Sequence, residues 1–199
     1  MASQTDICNR ALSKLGEARI LTITQDVKAA RVLNDMWDIV RDGELRRNVW
    51  NFATARTSLA ALATTPAWGF TYEYQLPSDF IRVVQVNDSY YVANMTDYRT
   101  MMDVPYQIEG LKILTNYNAP LKLRYVQRIE DTQQWDAAFV ESFASRLAYE
   151  CAEAITQSST KKQEAFQDYR VAIREAKLVD AIENPPEPLP DSSWLLSRL

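Results

Sequence analysis

A chain of 199 residues that is 47% hydrophobic and 24% charged has ordinary globular composition and enough length to bury a core without metal or disulfide help. Its 22 Lys and Arg against 26 Asp and Glu leave a formal charge of -4, which argues against a free nucleic-acid binder but not against a channel through which nucleic acid passes. The sequence contains no histidine, which excludes His-based triads, His metal sites and the usual base for chemistry near neutral pH.

The first stretch, MASQTDICNRALSKLG, lacks the apolar run of a signal peptide. No window approaches about 18 consecutive apolar residues, so no membrane-spanning helix is expected. A helix is predicted from Ser3 or Thr5, with Ser3 and Asp6 as a capping box. Ile7, Ala11, Leu12 and Leu15 form its apolar face, and Gly16 is placed for a left-handed C-cap. A second helix follows, with Asp26 as the candidate cap and Ala29, Val32, Leu33, Met36, Trp37 and Val40 facing the core. Its pattern continues through RDGELRRNVW; Gly43 weakens that continuation without forbidding it.

After FATARTSLAALATTPAWG the hydrophobic period changes from 3.6 to 2. Tyr72, Tyr74 and Leu76 alternate, Pro77 and Ser78 mark a join, and Phe80 to Val86 resumes as strand. Gly110 sits at a hairpin bend before Leu111 and Ile113, YNAP is a turn, and Leu121, Leu123 and Tyr125 alternate again. The irregular stretch 89–106 is expected to hold a further strand and a loop or short helical turn. Tyrosine is concentrated in this region. Tyr72, Tyr74, Tyr90, Tyr91 and Tyr98 are candidates for an interface, where the ring supplies area and the hydroxyl a polar handle. Sheet core is the competing reading for any one of them.

Helical periodicity returns from Asp131 or Thr132. Phe139, Phe143, Leu147, Cys151 and Ile155 recur every four residues. A last helix follows TQSST, with Phe166, Tyr169, Ile173, Ala176 and Leu178 expected inside. Lys161 and Lys162 sit badly against the positive end of its dipole, a small mismatch that matters little if they reach outward to a partner. ENPPEPLPDSSWLLSRL then combines a spacer rich in proline with Trp194, Leu195, Leu196, Leu199 and Arg198. A disordered tail is one reading; a docking arm, with a stiff spacer and an apolar anchor, is the other.

Catalytic motifs are mostly absent: no G-x-G-x-x-G, Walker loop, G-x-S-x-G elbow or metal-spaced cysteine pair occurs, and no cofactor is expected. Cys8 and Cys151 read as core thiols, a bridge between the first and last helical regions being the alternative. Glu164 and Asp168 lie four apart. Two carboxylates are the minimum for a glycosidase, although that spacing is also the ordinary solvated side of an amphipathic helix.

The order and spacing of ALSKLGE, RRNVWNFATART, YEYQLPSDFIRVVQV and the run from Ile108 to Ala152 resemble the head-to-tail adaptors of short-tailed double-stranded DNA bacteriophages, the tail tubular protein A family. The resemblance covers nearly the whole chain. It implies an α+β subunit, with an antiparallel helix bundle, an inserted β-rich region and an extended C-terminal arm. The corresponding segments are helical residues 1–68, β-rich tail-facing residues 69–130, bundle-completing helices 131–182 and the Pro-rich docking arm 183–199. It further implies a homo-oligomeric ring of twelve subunits in the virion, with the portal and the tail nozzle as partners and transient contact with double-stranded DNA in the channel. No catalytic residue comes with it. A virion-associated peptidoglycan hydrolase using paired carboxylates, or a soluble protein-binding module, are the alternative functions.

Overall fold

The computed structural model describes residues 2–87 and 106–184. Helices α1 (Gln4–Leu15), α2 (Lys28–Arg47), α3 (Ala137–Thr156) and α4 (Ser159–Glu183) flank strands β1 (Thr54–Leu59), β2 (Tyr72–Gln75), β3 (Phe80–Val86), β4 (Tyr106–Glu109), β5 (Lys112–Thr115) and β6 (Leu121–Gln127). The fold is α+β, with two antiparallel sheets ordered β1-β6-β3 and β2-β5-β4 among the described residues.

Local signals set most helix ends. Ser3 caps α1: its hydroxyl accepts from the Asp6 N–H at 3.2 Å, and its own N–H donates to the Asp6 carboxylate at 3.0 Å. Gly16 closes the helix at φ 69°, a conformation that glycine adopts without Cβ strain. Asp26 does not cap α2. Val27 holds the N-cap position without a side-chain bond, while Asp26 takes the Arg31 guanidinium at 2.6 Å. The third helix also starts later than its periodicity suggests. Thr132–Gln134 is a 3₁₀ turn, and Asp136 caps α3 by accepting from the Ala138 N–H.

α3 is central among the helices. Phe139, Phe143, Leu147 and Cys151 are fully buried, together with Leu12 and Leu15 of α1 and Leu33 of α2. Small residues at Ala144, Ala148 and Ala152 let neighbouring backbones approach. α3 and α4 run antiparallel: Lys162 bonds Glu153 at 2.6 Å, Phe166 packs on Tyr149 at 5.1 Å, and Arg146 lies over the Tyr169 ring at 5.2 Å. Lys161 and Lys162 therefore point into the chain rather than to a partner. Lys161 donates to the Leu15 carbonyl at 2.6 Å, at the negative end of α1.

β1 is the largest departure from expectation. It falls inside the segment read as helical and begins the β region at Thr54. It pairs with β6 over its whole length, from Thr54↔Val126 to Leu59↔Leu121. β6 serves two cores. Leu121, Leu123 and Tyr125, with Val86 of β3, pack against Tyr74 and Ile113 of the second sheet, while Val126 belongs to the helical core with Trp50 and Ala53. Gly110 and Leu111 form the β4–β5 turn, Gly110 at φ 59°, so Leu111 is exposed rather than in a strand.

Phe143 is fully buried between Trp37, Trp135 and Phe139. Phe143→Ala is expected to cost about 3–5 kcal/mol, read from the midpoint of urea unfolding. An unchanged curve would contradict the core described here.

Candidate functional site

α4 carries apolar residues on two sides. At 3.6 residues per turn, Ala165, Tyr169 and Ala176 share the face that packs inward, and all three are buried. Val171, Leu178 and Ile182 lie about half a turn away, and are 57%, 63% and 74% exposed. Leu178, expected in the core, is thus part of an outer stripe with exposed Val179 beside it. Periodicity identifies an apolar face but does not say whether anything covers it.

A second surface, of mixed polar and apolar lining, belongs to the small sheet. The 65–70 loop and strands β2, β4 and β5 enclose a cleft of about 440 Å3 lined by Trp68, Phe70, Glu73, Glu109 and Lys112. Trp68 is 86% exposed at this cleft; Ile108 of β4 and Leu111 of the β4–β5 turn are also exposed but lie outside its lining. Glu73 is fixed by a short hydrogen bond from Thr64 and by Lys112 at 3.1 Å to both carboxylate oxygens. The Thr64 bond, followed by the Lys112 ammonium, holds the Glu73 carboxyl below its ordinary range.

The tyrosines divide. Tyr74 is a core residue, not an interface one: it is fully buried and its hydroxyl donates to the Tyr117 carbonyl at 2.8 Å. Tyr72 is half-buried against the same core. Tyr90, Tyr91 and Tyr98 lie outside the described residues, as do Trp194, Leu195, Leu196, Arg198 and Leu199. Glu164 and Asp168 are both exposed on α4. Cys8 and Cys151 are free, buried thiols pushed up to about 12 chiefly by burial. Among the described residues no group of three or more His, Cys, Asp or Glu is arranged to hold a metal, and no helix is long and apolar enough to cross a membrane.

A buried carboxylate has no signal in the sequence. Glu44, only 2% exposed, stands between α2, α3 and α4. Its Oε1 accepts from Arg47 at 3.0 Å and from the Tyr169 hydroxyl at 2.9 Å, with Arg146 at 3.7 Å, while Oε2 is buried without a hydrogen-bond partner. Burial pushes its carboxyl above the ordinary range, against the Tyr169 bond and the charges of Arg47 and Arg146. Two further polar links missed in the sequence fix chain connections. Asn9 bonds both backbone groups of Ile20, at 3.0 and 2.8 Å, and buried Asp180 accepts the Asn51 N–H at 2.8 Å. Their partners lie 11 and 129 residues away.

The raised Glu44 value carries a sign. Between the ordinary and the raised value the folded chain holds the proton and the unfolded chain has lost it, so stability falls as pH rises through that window. Glu44→Gln removes the titration. The stability of wild type relative to Glu44→Gln, from urea unfolding between about pH 4 and pH 7, is expected to decline as pH rises; a constant difference would contradict the assignment. The sequence matches no protein-family model and no curated protein.

Proposed function

We propose that this chain is a structural adaptor that assembles into a ring joining a phage portal to its tail tube or nozzle and lining the channel for DNA ejection. In this reading the four helices form an antiparallel bundle as the ring body, the β-rich region faces the tail, and residues 183–199 dock as an arm. The virion head-to-tail junction is its place of action.

The observation that carries the reading is the presence of two unlike surfaces with exposed apolar side chains on parts of the fold with separate cores. One is the Val171–Leu178–Ile182 stripe of α4; the other belongs to the small sheet, where Trp68 lines the cleft and Ile108 and Leu111 are exposed on the β4–β5 hairpin outside it. A subunit in a ring makes heterologous contacts, in which different patches meet, and an adaptor needs a further surface for an axial partner. Covering a large apolar side chain completely contributes about 1.5–3 kcal/mol, so such surfaces favour burial in an assembly. The sequence resemblance supports the same reading, since YEYQLPSDFIRVVQV forms the β2–β3 unit that spans both cores.

Mixing the purified chain with its cognate portal and imaging by negative stain is expected to give closed rings of about twelve copies. Persistent monomers would contradict the adaptor reading. Clearing of purified peptidoglycan that disappears with Glu164→Gln would favour the hydrolase instead.

A further inference from the structure

The outer stripe of α4 is about 16 Å long from Val171 to Ile182, at 1.5 Å per residue, and one helix wide. That is well short of the roughly 800 Å2 per partner found in stable interfaces between free proteins. A short apolar segment suits an area of that size better than the face of a second folded domain does. Residues 191–199, DSSWLLSRL, have that character: four large apolar side chains in nine residues, following a spacer, PPEPLP, with four prolines.

The exit of the chain from α4 points to which copy receives the segment. Asn184 donates to the Asn51 side chain at 2.6 Å, and Asn51 is bonded to buried Asp180. Asp180 and Asn184 lie on the inward side of α4, so the chain leaves on the side away from the stripe. Asn184 is already extended, at φ -108° and ψ 129°, as a residue before proline is. Six residues rich in proline reach about 19 Å in polyproline geometry. An exit on that side fits a receiver on a second copy rather than on the same helix.

We propose that residues 191–199 of one copy seat on the Val171–Leu178–Ile182 stripe of a second copy, each subunit being donor to one neighbour and receiver for the other. Trp194, Leu195, Leu196 and Leu199 supply the apolar contact. Asp191 and Arg198, of opposite charge, match exposed Arg174 and Glu175 beside the stripe. Closure of successive contacts into a ring rests on the adaptor reading; the contact itself requires only two copies of this chain.

The test is a titration of a fluorescein-labelled peptide of residues 183–199 with the full-length chain, followed by anisotropy. Saturable binding is expected, weakened at least tenfold when the full-length chain carries Leu178→Glu with Ile182→Glu, or when the peptide carries Trp194→Ala. Both stripe positions are exposed, so circular dichroism of the receiver variant should match wild type. No saturable binding, or binding indifferent to the stripe substitutions, overturns the proposal. Portal-dependent rings formed normally by Leu178→Glu with Ile182→Glu would also overturn it and leave the adaptor reading standing. Absence of rings from wild type, with peptide binding intact, would remove the adaptor reading and leave this contact.

Discussion

The structure depends on one aromatic cluster. Trp37 of α2 stacks on Trp135 at 5.8 Å, and both present to Phe143 of α3 at 5.0 Å in edge-to-face geometry. Phe139 continues the cluster to Trp50 and Phe52, at 5.0 and 4.9 Å, in the turn that leads into β1. Such pairs add about 0.5–1.5 kcal/mol each beyond the area they bury. Their polar edges are also satisfied: the Trp50 indole donates to the Glu44 carbonyl at 3.0 Å and the Trp135 indole to the Ile129 carbonyl at 3.1 Å. Both strand-bearing ends of the chain, at Trp50 and at Trp135, are therefore tied to the same helices.

From that tie the sheet follows. β1 begins four residues after Trp50 and β6 ends eight residues before Trp135, and the two are hydrogen-bonded partners. Holding their outer ends together on the helical core sets the register of β1 against β6. β6 then presents Leu121, Leu123 and Tyr125 to the second sheet on its other side. Ion pairs add orientation more than stability. Arg128 reaches Asp42 at 2.8 Å, and Glu141 receives Arg10 and Lys14 at 3.0 and 2.7 Å, linking elements far apart in sequence at partly exposed sites where such pairs contribute little.

What the sequence discloses and what it conceals follow from the range of the interactions. The Ser3–Asp6 box and Gly16 are short-range devices and could be read directly. So could the face of α3, because Phe139, Phe143, Leu147 and Cys151 are spaced four apart on one helix. β1 could not: TARTSL has no run of alternating large apolar residues, and its extended form comes from pairing with β6, 62 to 72 residues later. Leu178 fits the helical period yet lies outside, because α4 is apolar on opposite sides and periodicity alone does not choose the inward one. Tyr74 illustrates the converse limit, since strand alternation fits a buried ring and an exposed one equally well. Of the candidate surfaces, the small sheet is legible in the sequence only as a concentration of tyrosine, whereas its exposed large apolar residues among those described include Trp68, Ile108 and Leu111. Glu44, Asn9 and Asp180 depend on partners that only the fold brings near.

The helices and strands form one framework, with the α4 stripe and the small-sheet surface carried by it. Native-state hydrogen exchange tests that coupling most directly. Amides of α3 between Phe139 and Leu147 and those of β6 between Leu121 and Val126 are predicted to exchange through a single opening, with the same free energy and the same denaturant dependence. Exchange of the β6 amides at a clearly lower free energy than those of α3 would contradict it, because the strands would then open independently of the aromatic cluster.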